Sequence, residues 1–142
     1  MPGMSRDSAP PAAEAFADVS GGFVAHLGLE IEAASADAVT VGLTVRDELL
    51  QPYGILHGGV HCSLVETTAS IAAALWYGDR GQVVGVSNHT DFIRAVSSGR
   101  LTARATPVAR GRSQQLWQVD ITDDADRLVA RGQLRLQNLA KT

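Results

Sequence analysis

From Val60 to Tyr77 the chain is apolar on almost every helical face. Val60, Leu64, Val65, Ala69 and Ile71 through Trp76 supply the large and small apolar positions, and few polar residues interrupt them. A helix that is apolar all round is normally buried rather than laid on a surface. The spacing therefore predicts one long central helix of about 28 Å, entered through Gly58-Gly59 and ended near Gly78. A single charged side chain, Glu66, stands inside it. A lone carboxylate in an apolar interior costs several kcal/mol unless it is protonated or hydrogen-bonded. No basic residue lies one turn away, at Cys62 or Ser70. The pattern thus predicts a buried, unpaired acid beside a His-Gly-Gly turn.

Elsewhere the pattern is shorter. Phe16, Val19, Phe23 and Leu27 recur at helical spacing, broken at Gly21-Gly22. This predicts one or two short helices, with Ser20 as a cap for the second and Gly28 as its stop. From Leu29 the period changes to two. Leu29 and Ile31 alternate with glutamates; beyond the turn Ser35-Ala36-Asp37, Val39, Val41, Leu43 and Val45 alternate with small or polar residues. After the long helix, four more strands are predicted: Gln82 to Ile93, Arg100 to Val108, one marked by Trp117, Val119 and Ile121, and one from Leu128 to Leu136. Two strands, a helix and four strands make an α+β arrangement, an antiparallel sheet with a helix on one face. To cover so apolar a helix the sheet must curl. Its open edges favour pairing with a second copy, so a homodimer is the minimum expected assembly.

Composition adds limits. The 142 residues suit one domain with a real core. Residues 1–12, rich in proline and small residues, are expected to form a flexible tail, leaving 13–142 as the domain. With 45% hydrophobic and 19% charged residues, the chain reads as an ordinary soluble protein. A net charge of −3 and scattered arginines argue against a nucleic-acid partner. The one cysteine, Cys62, allows no internal disulfide or multi-cysteine zinc site. No long apolar stretch follows a basic start, so neither a signal peptide nor a membrane segment is expected, and the cytoplasm is the expected location.

The candidate chemistry gathers at the long helix. Gly58 and Gly59 permit close backbone approach, and amides in a helix's first turn suit a developing oxyanion. His57 immediately precedes them; a surface histidine on a glycine-rich entry explains it equally well. His57 and His61 are four apart, but Glu66 lies about 140° round the helix from His61, so three ligands would point apart and no metal is expected. Cys62 has an acid rather than a base one turn away and reads as a small core residue. Gly85-Val86-Ser87-Asn88-His89 lacks the closing glycine of a nucleophile elbow. Ser70, one turn beyond Glu66, can orient its carboxylate, although tight helix packing explains a small residue there as well. Gln51 offers an amide donor to a carbonyl. Together these residues suit water attack on an activated acyl group.

Gln51-Pro52-Tyr53-Gly54-Ile55-Leu56-His57-Gly58-Gly59, followed by Glu66 and Ser70, resembles the hot-dog-fold acyl-CoA thioesterases of the phenylacetyl-CoA and 4-hydroxybenzoyl-CoA type. The resemblance runs from about Phe16 through Val83-Val84-Gly85, Phe92-Ile93-Arg94, Gly111-Arg112 and Trp117 to the last strand. It implies a curled sheet wrapped on the helix, dimers joined edge to edge and usually paired into tetramers, and active sites at the dimer interface. It further implies that the Gly58 amide polarises the thioester carbonyl with help from Gln51 and His57. Glu66 of the other subunit would be nucleophile or general base, and Ser70 would hold it or the water. CoA would bind as part of the substrate, with no separate cofactor, near Gly59, Arg94, Arg112 and Ser113. Many relatives carry Asn-x-Asn where this chain has His89 and Asp91, and a proline where it has Ala95. His89 and Asp91 share a strand face, as a polar pair at the acyl pocket or in an interface.

The resemblance therefore implies hydrolysis of an acyl-CoA, or of an acyl-carrier thioester, to a carboxylate. The same fold also hosts hydratases and dehydratases, and a non-catalytic acyl-CoA-binding module is a further alternative. A buried Glu66 argues against a mere binder, because removing it would relieve a desolvation cost.

Overall fold

Alternating strands and one apolar helix assemble into a six-stranded antiparallel sheet around that helix, in a computed structural model describing residues 21–142. The expected tail, the helical positions Phe16 and Val19 and the Ser20 cap lie outside the described residues. The elements run α1 (Gly22–Leu27), β1 (Glu30–Ala34), β2 (Val39–Thr44), α2 (Gly58–Tyr77), β3 (Gly81–Phe92), β4 (Arg100–Arg110), β5 (Gln114–Thr122) and β6 (Leu128–Ala140). Sheet order is β1-β2-β4-β5-β6-β3, every pair antiparallel. This is the hot-dog arrangement: α2 packs against β2 through β6, and the core lies between.

Local chemistry sets the ends of both helices. Gly28 takes a left-handed φ of 79° at the end of α1, and the Arg46 guanidinium donates to the Leu27 carbonyl at 2.7 Å and also to that of His26. At the start of α2 the His57 ring accepts the Gly59 N–H at 2.8 Å, and Gly78, at φ 63°, closes the other end. Gly132 on β6 brings sheet and helix together, since a Cβ there would meet Thr90 Oγ1 at 2.6 Å and a Val65 methyl at 2.8 Å.

Strands β5 and β6 extend beyond their apolar markers because the added positions hold buried polar groups that pair with one another. Trp117 Nε1 donates to Gln115 Oε1 at 2.7 Å, and Gln115 Nε2 donates to Asn138 Oδ1 at 2.8 Å. Asn138 Nδ2 then donates to the carbonyls of Gly111 and Arg112, tying down the β4–β5 turn.

Burial of α2 departs from the sequence reading. Gly59 and Glu66 are exposed and Cys62, Ser63 and Thr67 half-buried, so one stripe of the helix is open while the rest is covered. Glu66 is therefore not buried within its own chain. The polar stripe is narrow and flanked by small apolar residues, which hid it in the pattern. Edge strand β3 is uncovered as well: Val84 is 44% exposed and Val86 55%. An edge with this much bare apolar surface invites a partner strand.

Candidate active site

The start of α2 is held by a tight loop. Leu50 and Leu56 form an antiparallel bridge, Gln51 N–H donates to the Ile55 carbonyl at 2.8 Å, and Gly54 turns the chain at φ 80°. The loop returns Gln51 to the side of Gly58. The Gln51 carboxamide oxygen accepts the Tyr53 N–H, which leaves its NH₂ group to donate elsewhere. Of the first helical amides, Gly59 is occupied by His57 Nδ1, contrary to the expectation that both glycine amides stand open. Gly58 N–H has no partner among the described residues. Because His57 Nδ1 accepts, its proton sits on Nε2, and the ring presents a donor away from the helix.

Two cavities flank this helix start. One, of about 290 Å³, is lined by Gln51, Gly58, His61, Phe92, Ile93 and Arg94, among others. The other, of about 500 Å³, is lined by His57, Gly59 and Ser63 with Phe23 and Leu49. The expected group is thus divided: Gly58, Gln51 and Arg94 face one space, and His57 and Gly59 face the other. Phe92 covers Gly58 so closely that a Cβ on Gly58 would lie 2.6 Å from its ring.

Glu66 lies eight residues beyond Gly58, about 12 Å along the helix axis. It is exposed, and its carboxylate has no hydrogen bond or ion pair among the described residues. Ser70 is only 9% exposed, and its hydroxyl makes no hydrogen bond to the Glu66 carboxylate. Within one chain, then, the acid does not reach the Gly58 amide.

His89 and Asp91 do share a strand face, with Nε2 and Oδ1 3.6 Å apart, but both are well exposed. They stand opposite Gln133 and Arg131 on the sheet face turned away from α2. Their neighbours face the helix instead: Asn88 Nδ2 donates to the Cys62 carbonyl at 3.0 Å, and Thr90 Oγ1 donates to Asn88. In this chain, His89 and Asp91 do not line the cavity at Gly58. Arg112 and Ser113 occupy the β4–β5 turn, tied through Asn138 and Gln115 to Ala73 near the far end of α2. Ala73 is roughly 22 Å along the helix from Gly58, so they and Arg94 do not gather round one small group within one chain. Among the described residues no three His, Cys, Asp or Glu side chains gather as a metal site.

By sequence His61 stands out only as a metal-ligand candidate, yet it lines the Gly58 cavity. It is 4% exposed, its ring centroid lies 5.8 Å from that of Phe92, and neither ring nitrogen has a hydrogen-bond partner among the described residues. The signal was available in its spacing, since three residues after Gly58 is the same side of the helix. Burial lowers its pKa below the ordinary 6.5, so the neutral ring is the folded form. Below pH 6.5 the unfolded chain takes up a proton that the folded chain refuses, so stability present above 6.5 falls as pH drops, by at most about 1.4 kcal/mol per pH unit. Urea unfolding at several pH values should show this slope in the native chain and a shallower one in His61→Leu.

The chain matches the thioesterase superfamily over residues 53–130. Its fold superposes on the crystal structure of AziG of S. sahachiroi with a TM-score of 0.84 at 56% identity, covering 85% of this chain and 98% of that one. Thioesterase HI1161 of Haemophilus influenzae superposes with a TM-score of 0.81 at 39% identity, covering 85% of each chain. The 1,4-dihydroxy-2-naphthoyl-CoA hydrolase of Listeria monocytogenes is 34% identical over 103 residues, 72% of this chain and 84% of its own. Its central helix opened by His57-Gly58-Gly59, the curled sheet and these relatives agree, and the chain belongs to the thioesterase superfamily.

Proposed function

We propose that this protein hydrolyses an acyl-CoA to CoA and a free carboxylate, at sites shared between two copies of the chain. One observation carries the reading: the Gly58 amide at the start of α2, without a partner among the described residues, opens with Gln51 onto a cavity of about 290 Å³. A helix-start N–H aimed at a thioester oxygen stabilises the charge that develops there, and the Gln51 NH₂ adds a second donor. The Listeria relative named above is a CoA-thioester hydrolase, which supports CoA as the carrier.

Glu66 then supplies the base. Its exposure on the open stripe of α2, and its distance from its own Gly58, suit delivery to the partner's site once two chains pair along β3. As general base the carboxylate takes a proton from water while the water oxygen attacks the carbonyl carbon. Collapse of the oxyanion breaks the C–S bond, and the thiolate recovers the proton. As nucleophile the same carboxylate would attack the carbonyl carbon and expel the CoA thiolate, forming an anhydride that water opens to return Glu66 and release the free acid. Ser70 positions Glu66 or the water. Arg94, at the cavity, is placed to meet CoA phosphate, with the partner's Arg112-Ser113 turn a further candidate. The assembly is at least a homodimer, with dimers paired into a homotetramer. No cofactor, nucleic acid or membrane is required.

A thiol-release assay over a panel of acyl-CoA and acyl-carrier esters tests this directly. Release from CoA esters is the expected result. Binding of CoA esters without release from any substrate would instead identify a sensor, and hydration of an enoyl-CoA without release would identify a hydratase.

A further inference from the structure

Strand β3 reaches the backbone of α2 through an exposed side chain. Asn88 Nδ2 donates to the Cys62 carbonyl at 3.0 Å, and Thr90 Oγ1 donates to Asn88 Oδ1 at 2.7 Å. A carbonyl only accepts, so the NH₂ of Asn88 is the end turned to α2, and the Thr90 hydroxyl fixes it there. Gln115 also donates to an α2 carbonyl, that of Ala73, but it is buried and must find partners inside the protein. Asn88 is exposed, and water would satisfy its amide. Its main chain already pairs with Leu134 on β6, and asparagine is a poor strand former. Neither burial nor strand pairing accounts for this residue.

The acceptor it chooses does account for it. Within α2 the Cys62 carbonyl receives the N–H four residues on, which is that of Glu66. A carbonyl has two lone pairs and serves both donors, and the second donor polarises it and strengthens the first bond. Cys62 and Glu66 both lie on the open stripe of α2, where the chain's own sheet covers the helix least. The Asn88–Thr90 pair thus braces the helical turn that carries the acid.

We propose that Asn88, oriented by Thr90, is a positioning residue for Glu66. This rests on the hydrolase reading above, in which Glu66 is base or nucleophile, and adds the group that holds it. Asn88 acts through the Cys62 carbonyl and needs no contact with the reacting atoms.

Steady-state kinetics and residue-resolved amide exchange on the full chain test this. Asn88→Ala and Thr90→Val should each lower kcat by about five- to tenfold with KM kept within about twofold. Thr90→Ser, which keeps the hydroxyl, should recover most of the rate lost in Thr90→Val. In a Glu66→Gln background, Asn88→Ala should cost less than about twofold more, because the group it positions has lost its chemistry. The full loss in that background, or an unchanged kcat in Asn88→Ala, overturns the assignment. Amide exchange gives a readout independent of turnover. In Asn88→Ala the Glu66 N–H should exchange about fivefold faster or more, while that of Ala74 keeps its native rate. Equal acceleration at both positions, a general loss of stability, or no change at Glu66 overturns the assignment as well. If no ester is hydrolysed, the hydrolase reading fails, and the exchange result alone upholds or overturns the hold on Glu66.

Discussion

Replacing Glu66 by Gln is expected to lower thiol release by about a hundredfold or more, the usual scale for loss of a positioned general base or nucleophile. The substitution keeps the shape of the side chain and removes only the charge that takes the proton or attacks the carbon. Within one chain the Glu66 carboxylate is exposed and has no hydrogen bond or ion pair among the described residues, so folding should be untouched to within about 0.5 kcal/mol. Where a second chain covers the open stripe, a neutral amide is easier to desolvate than a carboxylate, and the melting temperature should hold or rise. Undiminished hydrolysis in Glu66→Gln would remove the assigned role. A single turnover of the native enzyme in ¹⁸O-water tests for the covalent form of the mechanism: label on Glu66 means an anhydride opened at the Glu66 carbonyl, and label in the product alone means that water delivered its oxygen to the acyl carbon.

Gly58→Ala should divide stability from activity in a different way. Alanine is the better helix former by about 1 kcal/mol in a helix interior, and Gly58 has no positive φ to protect. Its new methyl, however, would lie 2.6 Å from the Phe92 ring, so the ring must swing away. Phe92 is already 59% exposed and can move cheaply. The fold should survive with little change in melting temperature. The cavity wall beside the amide is displaced, and misplacement on the scale of 1 Å can cost about a hundredfold in rate. The expected result is a loss of kcat/KM between about tenfold and a hundredfold without a matching loss of stability. Normal kinetics in this variant would mean that Phe92 and Gly58 do not frame the reacting carbonyl.

Much of the architecture was legible because period and burial agree. The alternation at Val39, Val41 and Leu43 became β2, in which those three residues are fully buried, and the run after Gly59 became α2. Where polarity and burial disagree, the reading failed. Gln115 and Asn138 are buried through bonds to each other, so the apolar markers stop short of the ends of β5 and β6. Glu66 failed in the opposite direction, because a narrow polar stripe on an apolar helix reads as a buried anomaly until the sheet shows which faces it covers. For the site, spacing identified Gly58 and Gln51 as neighbours but could not say that His57 turns to the other cavity. That division depends on one hydrogen bond, from the Gly59 amide to His57 Nδ1. His89 and Asp91 illustrate the limit of strand periodicity: it placed them on one face without saying which.

The shared site is tested most directly by a purified heterodimer with Glu66→Gln on one chain and Gly58→Ala on the other, isolated through two different affinity tags. If each Glu66 serves the partner's Gly58, one of the two sites carries both substitutions and the other carries neither. The heterodimer should then regain about half the activity of the native dimer, although both parent homodimers are impaired. Activity no higher than the mean of the two parents would contradict the shared site and return Glu66 to its own chain.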